Sequence, residues 1–277
     1  MSNVDDRVVL ITGATSGLGR QLAEKLAAEG ATVAVHGRNP KRCDETASQI
    51  RAATGNDSIH CHVADLASLR QVRQLAGEVF QRHPRLDVLV NNAGVGGGPQ
   101  GPATRELSED GYELRFAVNY LAHYLLTHQL LPLMQRSTPA RVVHVASVGQ
   151  APIDFDDVMM ERDYEPFRAY RQSKLAQIMH TFDLAEQLDG TGVTANALHP
   201  ATLMNTKMVA EWFGSSMSSV EEGLAATHRL VADPELEGVS GRYFNGQDEA
   251  RADEQAYDSD ARQKLRDLSE KLINEGV

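Results

Sequence analysis

Cysteine is almost missing from this chain of 277 residues: only Cys43 and Cys61 occur. Neither sits in a ligand-like cluster, so a disulfide-stapled scaffold and a zinc site are both excluded, and the pair reads as free thiols in a reducing cytosol. No run of residues approaches the roughly 20 consecutive apolar positions that span a bilayer. The start, Met1-Ser2-Asn3-Val4-Asp5-Asp6, has acids and no apolar signal region. Basic residues are in deficit, 27 Lys and Arg against 38 Asp and Glu, a net charge of −11, which argues against nucleic acid or an anionic membrane surface as the main partner. The ten histidines are scattered without H-E-x-x-H or similar spacing, so no metal is expected. Linkers, repeats and low-complexity tracts that would divide the chain are also lacking. Together these features predict one cytoplasmic globular domain over residues 1–277, with a hydrophobic content of 42% to fill its core.

What is present is a regular alternation of strand and helix. Arg7–Thr12 is a short apolar run suited to a strand buried on both faces. Gly13-Ala14-Thr15-Ser16-Gly17-Leu18-Gly19 follows, and then Leu22, Ala23 and Leu26 share one helical face. Such a turn brings bare backbone N–H groups to a helix N-terminus, where the dipole favours a phosphate. Further strands are predicted over Thr32–His36, Ser58–His62, Leu86–Val90, Arg141–Ala146, Val193–Leu198 and Val239–Phe244. Helices are predicted over Pro40–Ala53, Ala67–Gln81, Asp110–Gln135, Pro166–Leu188, Val220–Val231 and, as a charged tail within 258–275, Asp260–Ile273. Strands separated by helices pair in parallel through right-handed crossovers. The predicted fold is α/β, a doubly wound Rossmann-type parallel sheet of about seven strands, with ligands at the carboxyl ends of the strands.

The chemically suggestive residues fall at those ends. Tyr170 and Lys174 stand at i and i+4 of one helix and share a face. A phenol ordinarily titrates near 10; a neighbouring ammonium favours phenolate and makes the pair a candidate general acid/base. Ser147 ends the fifth strand, Asp65-Leu66 follows the third, and Asn91-Asn92-Ala93-Gly94 follows the fourth. Asn119 lies in the long fourth helix, and His199-Pro200 follows the sixth strand. Taken singly, Ser147 is a strand-end hydroxyl and Asn119 a helix amide; their ordered combination carries the signal.

That ordered set resembles the short-chain dehydrogenase/reductase family, along the whole chain. The glycine spacing G-x-x-x-G-x-G belongs to the resemblance. Pro166-Phe167-Arg168-Ala169-Tyr170-Arg171-Gln172-Ser173-Lys174-Leu175-Ala176, the acidic insert Ile153–Glu165 and Asn196-Ala197-Leu198-His199-Pro200 are similar to the retinol-dehydrogenase-like branch. The resemblance implies that Tyr170 exchanges a proton with the substrate oxygen, that Ser147 holds that oxygen, and that Lys174 lowers the Tyr170 pKa and meets the nicotinamide ribose. It implies that Asn119 relays protons from Lys174 through water. The cofactor site would comprise Gly13, Thr15, Ser16, Gly17, Leu18, Gly19, Arg38, Asp65, Leu66, Asn91, Asn92, Ala93 and Gly94, together with Tyr170, Lys174, Pro200 and either Thr202 or Thr206, between which the sequence does not choose.

The second strand ends in His36-Gly37-Arg38-Asn39. An acid that would bind the adenosine ribose of NAD is absent, and Arg38 is free for a 2′-phosphate, with help from His36 if protonated. NADP(H) is therefore favoured over NAD(H). Ala201 replaces the glycine usual in the family. Met204, Met208, Val209, Trp212, Phe213 and Met217, within a segment 201–219, suit either a lid over an apolar substrate or the packing of a short helix. The expected activity is hydride transfer between the nicotinamide and a carbonyl or secondary alcohol. An epimerase or dehydratase with a recycled cofactor and a non-catalytic dinucleotide sensor are the alternatives. The resemblance also implies a homo-oligomer, dimer or tetramer, with Leu121, Tyr124, Leu125 and His128 serving either a pairing face or the packing on the sheet.

Overall fold

The computed structural model describes residues 4–97, 104–205, 209 and 216–275. Eight strands form one sheet: β1 (Val8–Ile11), β2 (Thr32–Gly37), β3 (Ile59–Val63), β4 (Val88–Asn91), β5 (Ala140–Val145), β6 (Val193–His199), β7 (Arg242–Asn245) and β8 (Asp248–Glu249). Their order is β3-β2-β1-β4-β5-β6-β7-β8, with β1 to β7 parallel and β8 antiparallel to β7. The chain runs outward from β1 to β3 and returns to β4 on the other side of β1, so the strand order reverses between β1 and β4. A doubly wound sheet opens a ligand crevice at that reversal.

The long helices among the described residues are α1 (Gly17–Ala28), α2 (Pro40–Thr54), α3 (Leu69–Arg82), α4 (Ala122–Gln135), α5 (Pro166–Gln187), α6 (Val220–Ala232) and α7 (Ser259–Glu275). Successive strand residues face opposite sides. Val9 and Ile11 enter a core with Leu22 of α1, Ile50 of α2 and Leu230 of α6. Val8 and Leu10 enter the other core, with Leu75 of α3, Leu126 of α4 and Ile178 of α5. Both faces of the central strands are dry, which is why those strands read as unbroken apolar runs.

Local signals set the helix ends. Asn39 Oδ1 accepts from Arg42 N at 3.0 Å, Pro40 takes the first turn of α2, and Gly55 with φ of 71° ends it. The carboxylate of Glu165 caps α5 at Phe167 N and Arg168 N. The long helix predicted from Asp110 departs from expectation. It opens at Leu114 and runs through a π-helical segment, Phe116–Leu121, before α4. Asp110 is spent elsewhere, accepting from Leu69 N of α3 at 2.9 Å, while Glu113 caps Phe116 N at 2.8 Å. The seventh strand begins at Arg242 rather than Val239, because Val239 N is taken in a turn by Leu236 O.

Helix α7 lies across α5 and the π segment. Leu265 and Leu272 join the core beneath it, each worth about 2 kcal/mol. Ser269 Oγ meets Tyr120 Oη at 2.7 Å, Arg262 pairs with Glu186 at 2.7 Å, and Arg266 pairs with Asp183. Leu121, Tyr124 and Leu125 are buried within this single chain, and His128 is half-buried.

The expectation of free thiols is corrected. Cys43 on α2 and Cys61 on β3 form a disulfide, their Cα atoms 5.8 Å apart, within the usual bridging range. The two meet because α2 packs back on the β2–β3 edge, a juxtaposition that the sequence does not display. A cytoplasmic location thereby loses the support that two free thiols lent it. Among the described residues no helix is long and apolar enough to cross a membrane.

Candidate active site

The turn after β1 is set by close approach. Gly13 has φ of 67°, and a Cβ on it would lie 2.8 Å from Ala93 Cα. A Cβ on Gly19 would lie 2.5 Å from Asn92 Nδ2 and 2.7 Å from Gly13 O. Thr12 closes the junction: its Oγ1 accepts from Asn92 N at 2.9 Å and Ala93 N at 3.0 Å, and Asn92 Nδ2 donates to Thr12 O at 2.7 Å. The first turn of α1 carries no acid, and its N-cap Ser16 makes no side-chain capping bond. A helix N-terminus with that composition suits the diphosphate of a dinucleotide. The turn therefore fits the cofactor, on backbone space as well as on charge.

His36 does not serve as a cation. Its ring is buried; Nδ1 accepts from Gly13 N at 3.2 Å and Nε2 donates to Ala64 O at 3.0 Å. Burial pushes it down to about 4, so it is a neutral brace between the turn and β3. Arg38 is exposed just beyond β2, as are Lys41 and Arg42 at the start of α2. Asp65 is half-buried after β3 and accepts from Ala67 N at 2.9 Å; Leu66 beside it is buried. The Asn91 amide is fully buried and donates to Thr127 Oγ1 at 2.9 Å, which takes that side chain out of the crevice.

Ser147, Tyr170 and Lys174 converge across β5 and α5. Ser147 Oγ accepts from Gly149 N at 3.0 Å, and its main-chain oxygen accepts from Tyr243 Oη of β7 at 3.0 Å. Burial raises the Tyr170 phenol, and a hydrogen bond with the Ser147 side chain partly offsets this. Lys174 Nζ lies 5.7 Å from the Tyr170 ring centre. Burial lowers the ammonium to about 7. The phenol is therefore held protonated by burial, which outweighs the Ser147 hydrogen bond.

Asn119 sits on the π segment, a feature often found at functional sites. Its side chain clasps Val95, accepting from Val95 N at 2.7 Å and donating to Val95 O at 2.9 Å, and donates to Ser173 Oγ at 2.9 Å. A Cβ on Gly94 would lie 3.4 Å from Asn119 Oδ1 and 3.8 Å from Lys174 Nζ, so the bare strip after β4 runs directly past both.

Two neighbours of this group escaped the sequence reading. Gln177 Oε1 accepts from Lys174 Nζ at 2.8 Å. His123 on α4 meets Asn119 O at 2.9 Å and Thr12 Oγ1 at 3.1 Å. Gln177 could have been found from its place one turn after Lys174; His123 carries no local signal.

At the rim, His199 Nε2 lies 3.1 Å from Thr202 Oγ1. Thr206, Met208, Trp212 and Phe213 lie outside the described residues, as do residues 98–103 of the glycine-rich loop after β4. The base of the 201–219 segment is clamped: Asn205 N donates to Ser218 O at 3.1 Å and Met217 N to Leu203 O at 3.0 Å. Val148 and Phe167, next to Ser147 and Tyr170 respectively, are exposed, and the Phe167 ring lies within 13° of parallel to Tyr170 at 6.2 Å. The acidic insert has structural uses, Glu165 as the α5 cap and Ile153 N on Gln255 Oε1 at 2.6 Å.

Comparison with known proteins agrees with this geometry. The short chain dehydrogenase family matches residues 7–215. Human retinol dehydrogenase 14 is 38% identical, over 96% of this chain and 86% of its own. An uncharacterized protein of Mycobacterium paratuberculosis superimposes with a TM-score of 0.80 and 29% identity, covering 98% of this chain and 94% of its own. A short-chain dehydrogenase of Shigella flexneri 2a, solved with NADP, gives a TM-score of 0.73 and 26% identity over 89% and 99% of the two chains. With a crevice built for a nicotinamide dinucleotide and these relatives, the chain belongs to the short-chain dehydrogenase/reductase family, in its retinol-dehydrogenase-like branch, and is an oxidoreductase acting between alcohols and carbonyls.

Proposed function

We propose that this protein is an NADP(H)-dependent oxidoreductase whose substrate is a carbonyl or secondary alcohol with a substantial apolar part, and that residues 1–277 act as one catalytic unit. The observation that carries the reading is the meeting of Ser147, Tyr170 and Lys174 beside the Gly94 strip, at the carboxyl ends of β4 and β5. When bound, the nicotinamide supplies or accepts the hydride. Ser147 Oγ holds the substrate oxygen. Tyr170 Oη, protonated in the buried state, gives its proton to that oxygen as the carbonyl becomes an alcohol, and takes it back in the reverse direction. Lys174 holds positive charge beneath the phenol, which favours the phenolate left after transfer. Asn119 fixes the Val95 backbone and so holds the Gly94 strip against Lys174.

The preference for NADP(H) is supported by Arg38, Lys41 and Arg42, all exposed around the end of β2, where no acid stands to receive a ribose hydroxyl. The NADP bound in the Shigella relative supports the same choice. An apolar substrate is supported by the exposed Val148 and Phe167 at the mouth and by the name of the retinol dehydrogenase relative.

The test is a fluorescence titration with NADPH and with NADH, followed by a panel of aldehydes and ketones of increasing chain length. Tighter NADPH binding and faster oxidation with longer chains are expected. Binding of neither nucleotide overturns the reading.

A further inference from the structure

Lys174 is a buried cation within electrostatic reach of three imidazoles. Tyr170 faces it from α5, His123 from α4, His144 from β5 and His199 from the end of β6. Burial pushes these histidines down to about 3, 3 and 4 respectively. They are therefore neutral and set no second positive charge beside Lys174. The ammonium donates to Val145 O and to Gln177 Oε1, each at 2.8 Å. An ammonium has three N–H groups and no acceptor, so two are committed and the third is left for the crevice. The same chemistry orients the Gln177 amide, because only its oxygen can face the cation. Its Nε2 then lies 3.5 Å from His123 Nδ1, whose own N–H is given to Asn119 O at 2.9 Å, so the Gln177 amide is held by its oxygen alone. Gln177 is 1% exposed, and burial of an amide is costly unless it is bonded.

We propose that Gln177 is a positioning residue for Lys174: its amide oxygen fixes the ammonium in place and sustains its charge, leaving one N–H directed to the cofactor crevice. His123 anchors this shelf, since it joins Thr12 at the end of β1 to the Asn119 carbonyl on the π segment. The inference rests on the Tyr170–Lys174 reading above. Its consequence is that the charge on Lys174 follows the chemistry of the side chain at 177. Leu there removes the acceptor at nearly equal volume, and Glu strengthens it. The two variants must therefore move Lys174 in opposite directions, which loss of packing alone does not do.

The direct test is NMR titration of the lysine Cε resonances in uniformly labelled protein, with Lys174 assigned by its loss in Lys174→Met. Wild type is expected to titrate near 7, Gln177→Leu about one pH unit lower and Gln177→Glu about one unit higher. Thermal melts by circular dichroism establish that each variant is folded. If Gln177→Leu fails to fold, the comparison of Gln177→Glu with wild type decides. An unmoved midpoint in Gln177→Glu, or two shifts of the same sign, overturns the proposal. NADPH oxidation with nonanal is measured on the same samples. Turnover with unmoved midpoints removes the role of Gln177 alone. Opposite shifts without turnover of nonanal or any other carbonyl tested leave Gln177 in place and remove the proposed NADP(H)-dependent reduction of apolar carbonyls at this site.

Discussion

The two ends of the crevice are built by different physics. At the cofactor turn, position is set by what is missing: side chains on Gly13 and Gly19 would overlap Ala93 and Asn92. At the lysine shelf, position is set by buried polar side chains, with Lys174 bound to Gln177 at 2.8 Å and His123 to Asn119 O and Thr12 at 2.9 and 3.1 Å. The first construction depends on space, and the His36 ring that braces Gly13 N stays neutral down to about pH 4. The second depends on protonation and on low dielectric, which strengthens a satisfied network and penalises a broken one. A substitution should therefore injure one end without the other.

The largest effect belongs to the shelf end. Tyr170→Phe is expected to lower kcat by about 100-fold to 10,000-fold, with NADPH affinity retained; steady-state rates and fluorescence titration check the two halves of that statement. Acid should come next. His36, His123 and His144 are held near 4, 3 and 3 in the folded chain, against an ordinary 6.5. Each is neutral when folded and takes a proton on unfolding below that ordinary value. Stability is thus fully present above about pH 6.5 and is lost as pH falls toward 4, by up to about 1.4 kcal/mol per pH unit per group. Urea midpoints between pH 7 and 4.5 measure the slope, and His36→Gln should flatten it.

The turn end is broken by bulk. Gly19→Ala is expected to cost about 1–3 kcal/mol of stability and to weaken NADPH at least about tenfold, as read by urea unfolding and by titration, with no change in the Lys174 midpoint. The mildest change lies farthest from the chemistry. Arg38→Glu should weaken NADPH about tenfold through loss of a charge-assisted contact while leaving NADH nearly unchanged. Equal loss for both nucleotides would assign phosphate recognition to another side chain.

The same contrast explains what the sequence disclosed. Gly13, Gly17 and Gly19 are legible because a strand, a turn and a helix adjoin in the chain, and Tyr170 with Lys174 because one helix spaces them. The strands Val8–Ile11 and Val88–Asn91 are legible because burial on both faces leaves them almost wholly apolar. Strand β8 was not, since two exposed acids, Asp248 and Glu249, carry no strand pattern. Nor was the late start of the fourth helix, which depends on Asp110 capping α3 across the fold. His36 looked like an available cation because it ends the second strand beside Arg38; only the pairing of β2 with both β1 and β3 puts Gly13 N and Ala64 O on its two nitrogens. Thr12 and His123 are 111 residues apart, and the disulfide partners meet only through packing of α2 on β3. Polar networks assembled from distant segments leave no periodic trace, whereas steric requirements and helical spacing do.

The central claim, hydride transfer coupled to proton exchange at Tyr170, is tested most directly with NADPH carrying two deuteriums at the nicotinamide C4 and nonanal as acceptor. The account predicts one deuterium at the carbinol carbon for each NADPH consumed, over many turnovers in wild type and nearly none in Tyr170→Phe. Nucleotide bound without net consumption, or equal label transfer in both proteins, would contradict it.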